Sequence, residues 1–205
     1  MLTRRSFAAM SAALALPLAG MTFPAFAQST DAVEPLPDMV MGNPDAKVTI
    51  IEYASMTCPH CANFHLTTFQ DLKKEYIDTG KVKFVLREFP FDPLAAAVFM
   101  LARCSEDKYY DVVDLFFEKQ GQWAVRDGAL AQIRGLAAQA GISNAEFEAC
   151  LTNQKLLDGI NAVKDRGYNE FGVSATPTIF IDDEKFEGSR TMDAFRALID
   201  PKLDS

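Results

Sequence analysis

Residues 47–61 read KVTIIEYASMTCPHC, an apolar, β-branched run followed by a short polar break and then Cys58-Pro59-His60-Cys61. The run from Lys47 to Tyr53 has the composition of a buried strand. Beyond the second cysteine, Phe64, Phe69, Leu72, Tyr76 and Ile77 recur at threes, fours and fives, and Gly80 supplies a stop, so the pattern predicts a helix over 62–78. Lys81 to Phe89, KVKFVLREF, reads as a second strand. The gap between the strands accommodates a crossover helix, which makes them parallel partners in a right-handed βαβ unit. The two cysteines therefore fall on the first turn of a helix, at the end of a buried strand.

That placement suits thiol–disulfide exchange, which needs a thiolate attacker, a nearby second thiol to resolve the mixed disulfide, and one accessible sulfur. Cys58 sits where unpaired backbone N–H groups and the helix dipole stabilise negative charge. Pro59 suits the first helical position, since its missing N–H has no helical partner there. Cys61, one turn further in, is expected to be the more buried, resolving thiol. His60 is expected to donate a hydrogen bond to the Cys58 thiolate and, when protonated, to add charge stabilisation. A stabilised thiolate means a stabilised reduced form, hence an oxidising disulfide. The alternatives are a structural disulfide or half of a zinc site. Cys58, Cys61 and His65 could supply three ligands, but the sequence places no fourth, and His65 reads as a surface or half-buried helix residue. No metal and no cofactor are expected.

Outward toward the N-terminus, residues 1–27 carry Arg4 and Arg5, an apolar run to about Phe23, and the small-x-small ending Ala25-Phe26-Ala27. This is the pattern of an export signal removed after Ala27, too short and interrupted by Pro17 and Gly20 for a membrane span. Thr3-Arg4-Arg5-Ser6-Phe7 also reads as a twin-arginine start. Removal leaves 178 of the 205 residues with 18 basic and 28 acidic side chains, a net charge of −10 against −8 for the whole chain. That acidity argues against nucleic acid as a partner. Residues 28–44 read as an extended lead, and 45–92 as the unit bearing the cysteines.

Outward toward the C-terminus, 93–171 reads as a succession of helices: Leu94–Glu106, Lys108–Lys119, Gly128–Ala140, Asn144–Thr152 and Lys155–Phe171. Ser143 and Glu146 form a capping box at the start of the fourth. Within 172–205 the strand signal returns as TIFID (Thr178–Asp182), then Lys185–Glu187, and a helix from Thr191 to Ile199 closes the chain. The architecture is α/β, a small mixed sheet interrupted by an all-helical insertion. Cys104 and Cys150 fall in two helices of that insertion. In an oxidising compartment they are expected to be joined, the alternative being two buried free thiols.

With Cys-Pro-His-Cys after an apolar strand, a helical insertion and a later Thr176-Pro177, the chain resembles the DsbA-type periplasmic thiol–disulfide oxidoreductases, which have a thioredoxin-like fold. The resemblance runs from about Asp45 to Ile199. It implies that Cys58 attacks and Cys61 resolves. It also implies that Pro177 is held in cis beside the sulfurs, with the backbone at Thr176 open to pair with a substrate segment. Glu52, six residues before Cys58, matches a buried acid beneath the disulfide that takes the proton from Cys61. One departure is Thr176, where the best-known oxidases carry valine; threonine there is more like the isomerase and reductase relatives.

The function implied is donation of a disulfide to unfolded or newly exported cysteine-containing proteins, by a monomer reoxidised by a membrane quinone-linked, DsbB-like partner. The rivals are an isomerase or reductase and, from another class, a peptide-binding chaperone or metal binder on the same scaffold. The short lead leaves no room for the dimerisation domain that isomerases bring. Phe89, Phe91 and Met56 are candidates for apolar contact with unfolded segments.

Overall fold

The computed structural model describes residues 33–204. The expected export signal, 1–27, and the first part of the lead lie outside them. Among the described residues, no helix is long and apolar enough to cross a membrane.

The sheet has five strands: β1 (Met39–Gly42), β2 (Val48–Ala54), β3 (Val82–Glu88), β4 (Thr178–Ile181) and β5 (Glu184–Lys185), in spatial order β1-β3-β2-β4-β5. β2 and β3 are parallel, with Glu52 opposite Leu86 and Ala54 opposite Glu88. Their crossover runs through α1 (Pro59–Leu66) and α2 (Thr68–Leu72), the latter prolonged by a wider π turn, Lys73–Ile77. β4 pairs antiparallel with β2, so β2 lies at the centre with both faces covered. Its alternation sorts the faces: Ile50, Glu52 and Ala54 go to the main core, whereas Ile51 and Tyr53 go to a smaller cluster with Phe89, Val173 and Phe180.

After β3 the chain leaves the sheet for the insertion: α3 (Pro93–Cys104), α4 (Tyr109–Glu118), α5 (Gln120–Trp123), α6 (Ala129–Gln139), α7 (Asn144–Leu151) and α8 (Gln154–Phe171). Asp92 caps α3 by accepting from the Ala95 N–H, with Pro93 at the first helical position. The Ser143–Glu146 capping box opens α7 in both directions. α8 approaches the sheet so closely that a Cβ on Gly167 would lie 2.6 Å from the Tyr53 ring, which only glycine avoids. Gly172, at φ +63°, then ends the helix and turns the chain back toward β4. α9 (Met192–Asp204) closes the fold. A thioredoxin-like mixed sheet with an inserted helical subdomain is therefore the fold, as the element pattern predicts.

Three local readings need correction. The lead does not stay apart from the sheet, because Met39–Gly42 pairs antiparallel with β3, Met39 opposite Leu86. The edge of β3 had open hydrogen-bonding groups, and a strand of four residues satisfies them. The expected single helix over 62–78 breaks at Thr67, whose φ and ψ of −123° and −96° are not helical. The fives in its apolar spacing require such a break, since Phe64 and Phe69 are both fully buried and an unbroken helix would turn one away from the core. The closing helix runs beyond Ile199 through Pro201 to Asp204. Asp200 there accepts from the Tyr76 hydroxyl at 2.6 Å.

Candidate active site

Cys58 caps α1 in extended conformation (φ −78°, ψ 118°), with Pro59 behind it at the first helical position. Cys58 is half-buried, Cys61 is fully buried, and both are thiols in this structure. Pro59 and His60 are exposed. The Cys58 sulfur lies 3.3 Å from the carbonyl oxygen of Thr176, across a cis Thr176–Pro177 peptide. Pro177 is buried, and its own carbonyl accepts from Arg190.

The Cys58 thiol is lowered to about 5. The main cause is the hydrogen bond from the Cys61 thiol, which outweighs the opposing effect of burial; the Thr176 side chain and the backbone N–H groups of Cys61 and His60 add to it. Cys61 moves the other way. Burial pushes its thiol far up, and the neighbouring Cys58 and the charge on Glu52 push it further. The two sulfurs thus divide into an acidic, accessible one and a protonated, buried one. The His60 imidazole makes none of the described hydrogen bonds. His60 contributes through its backbone N–H, the last of those causes, and its ring is exposed to water.

Beneath the cysteines Glu52 is completely buried, and one of its oxygens is 2.7 Å from Nε2 of His65. The other oxygen, Oε1, has no hydrogen-bond partner. His65 is the plainest correction to the sequence reading, since it is buried to 1% exposure rather than lying at the surface. It stands one turn after Cys61 on the same helix face, and its ring is held between Phe69 and Phe117 at centroid distances of 4.5 and 4.4 Å. Burial alone would lower the imidazole, but the Glu52 charge and then Asp114 outweigh it and raise it to about 9, so the ring is an imidazolium at neutral pH. A buried acid on β2 needs a partner, and His65 is that partner. Among the described residues no group of His, Cys, Asp and Glu is arranged to hold a metal ion.

Two further groups hold the loop that presents Cys58, and sequence reasoning missed both. Gln120 donates to the carbonyls of Met56 (2.7 Å) and Cys58 (3.1 Å). Asp92, besides capping α3, accepts from the Thr57 hydroxyl. Asp92-Pro93 was recognisable as a helix start. Gln120 belongs to a single-turn helix with no periodic signal. Cys104 and Cys150 are bonded to each other, joining the end of α3 to α7 with Cα atoms 6.2 Å apart. They line a separate surface cleft of about 530 Å³ that includes none of the residues around Cys58. Met56 and Phe89 are core residues, whereas Phe91 is 53% exposed.

The family model described as thioredoxin matches residues 35–201. The chain belongs to the thioredoxin family. Within that family it falls among the DsbA-like members, as the sequence resemblance indicated. The crystal structure of Wolbachia pipientis alpha-DsbA1 superposes with a TM-score of 0.78 at 31% identity, covering 84% of this chain and 94% of that one. A putative protein-disulfide oxidoreductase of Rickettsia bellii is 31% identical over 169 residues, which cover 82% of this chain and 65% of the relative. The disulfide bond formation protein D of Bacillus subtilis is 27% identical over 190 residues, 86% of this chain and 83% of the relative. The chain thus spans just under two thirds of the Rickettsia protein's length.

Proposed function

We propose that this DsbA-like chain is a periplasmic thiol–disulfide oxidoreductase that donates its Cys58–Cys61 disulfide to cysteine-containing proteins newly exported to that compartment. The observation that carries the reading is the acidity of Cys58, about 5, beside a buried Cys61 whose thiol is pushed up. A thiolate this stable makes a good leaving group and favours the reduced protein, so the disulfide passes outward to substrates. The names of the Rickettsia and Bacillus relatives point to the same chemistry.

In this reading a substrate thiolate attacks the Cys58 sulfur, and Cys61 departs as the buried leaving thiolate. A second substrate thiol then displaces Cys58. Pro59 and His60 build the helix turn that holds the charge on Cys58. Thr176 and Pro177 border the sulfur and form the backbone edge along which an extended substrate lies. Glu52 supplies and removes the Cys61 proton. The Cys104–Cys150 bond pins the insertion. The signal at 1–27 delivers the chain, a membrane quinone-linked, DsbB-like enzyme reoxidises it, and the working form is a monomer.

The test is the thiolate absorbance of reduced protein across pH, with Cys61→Ala as control. A Cys58 midpoint near 5 is expected, well below the ~8.5 of a free cysteine. A midpoint in the ordinary range removes the donor reading and leaves the isomerase or reductase, which Thr176 beside the sulfur favours.

A further inference from the structure

The buried pair Glu52–His65 does not end at His65. Nδ1 of the ring has no hydrogen-bond partner and faces Oδ1 of Asp114 at 3.7 Å, and that oxygen also lacks a partner. Asp114, on α4, is 39% exposed. It stands in a cleft of about 330 Å³ lined by His65, Leu66, Gln70, Asp114, Phe117 and Glu118. Glu52 on β2, His65 on α1 and Asp114 on α4 therefore form a file that ends at the cleft, and Cys61, one turn before His65, feels the charge at its inner end. The charged groups facing the ring are Glu52 from β2 and Asp114 from α4, with Glu118 of α4 further along the cleft. Glu52 and Asp114 both favour the imidazolium.

Reduction of the active-site disulfide leaves a thiolate on a fully buried sulfur, where burial favours the protonated form. Glu52 can pass a proton on only after taking it from a neighbour within the core. The imidazolium bonded to it at 2.7 Å is placed to supply it. We infer that His65 stores the proton that Cys61 takes up when the disulfide is reduced, passing it through Glu52, and that Asp114 at the mouth of the cleft keeps the ring charged. This rests on the proposed role of Glu52 and extends it.

The step balances. A substrate thiolate forms a bond to the Cys58 sulfur, the Cys58–Cys61 bond breaks, and its electron pair leaves on the Cys61 sulfur. Nε2–H of His65 passes its proton to the Glu52 carboxylate, and the carboxyl so formed protonates that sulfur, leaving the ring neutral. On reoxidation the Cys58 thiolate attacks a partner disulfide and expels one partner thiolate; Cys61 then returns its proton along the same path, and its thiolate attacks the Cys58 sulfur and expels the second partner thiolate. His65 acts through Glu52, so it positions and holds a proton without touching the reacting atoms.

The chain has only two histidines, His60 and His65, so isotope-labelled histidine gives two ring signals, assigned with His60→Asn. Titrating them alongside the rate at which a cysteine peptide reduces the oxidised protein reads both halves of the inference. Asp114→Asn, at a partly exposed site, is expected to move the His65 midpoint down by about one pH unit. The high-pH fall in reduction rate is expected to move down with it. His65→Gln is expected to slow reduction about tenfold and to remove that limb of the profile. A His65 midpoint that shifts in Asp114→Asn while the rate profile stays in place overturns the inference, as does a variant that moves neither. Glu52→Gln separates the layers. Normal rates in that variant sink the Glu52 role as well, whereas slowed rates there with normal rates in His65→Gln sink only the proton store.

Discussion

Two carboxylates, Glu52 on β2 and Glu88 on β3, are fully buried on the same face of neighbouring strands, and their surroundings differ in kind. Glu88 is saturated. Arg103 grips both its oxygens in a two-pronged pair, and the Tyr109 hydroxyl donates to it at 2.9 Å. Arg103 also donates to the Pro37 carbonyl, so the same guanidinium ties the N-terminal lead to the core. Glu52 has one partner, a histidine, and one oxygen with none. An arginine cannot give up its proton and a histidine can. One acid is thus a fixed joint, and the other is left with a proton to trade.

The sharpest way to break this contrast is to neutralise each acid in turn. Glu88→Gln strands the buried Arg103 charge and is expected to cost about 3–5 kcal/mol in urea unfolding, with exchange rates per folded molecule unchanged. A loss of exchange at full stability would reverse the assignment.

Next in size is pH. His65 has a folded value raised to about 9 against an ordinary 6.5, so its contribution is complete below 6.5 and is lost as pH rises through 9. The oxidised protein, in which Cys58 does not titrate, is expected to lose on the order of 3 kcal/mol across that window. The loss is expected to persist in Glu88→Gln and to shrink in Glu52→Gln; a flat profile in the unmodified protein contradicts it.

Glu52→Gln itself is expected to unfold with a smaller penalty than Glu88→Gln, because His65 can shed its proton. Reduction and reoxidation at Cys61 are expected to slow about a hundredfold, roughly 2.7 kcal/mol of barrier. Stopped-flow fluorescence of the two redox forms measures this. The smallest effect belongs to Tyr109→Phe, which removes one donor from Glu88 and leaves Arg103 in place. About 1.5 kcal/mol of stability is expected to go, with no change in exchange, read from the same urea curves.

The same contrast marks how far the sequence could be read. The strand before the cysteines, the crossover to β3 and the helical insertion all follow from periodicity and punctuation, because each is local. The Ser143–Glu146 cap was legible for the same reason. Glu52 was legible only through resemblance, and its partner was not, since His65 on a short helix carries no mark of burial until β2 and α4 close over it. Gln120 and the pairing of Met39 with Leu86 depend on residues far along the chain meeting in space. No window of sequence contains them.

The acidity of Cys58 joins near causes to a remote one: Cys61 and His60 lie on the same helix turn, whereas Thr176 is 118 residues away. A chain still unfolded carries an ordinary thiol at this position, whatever its motif. Reactivity is therefore a matter of timing. It begins with the first turn of α1 and is complete only when Thr176 docks against it, so an immature copy has less power to trap its neighbours in mixed disulfides.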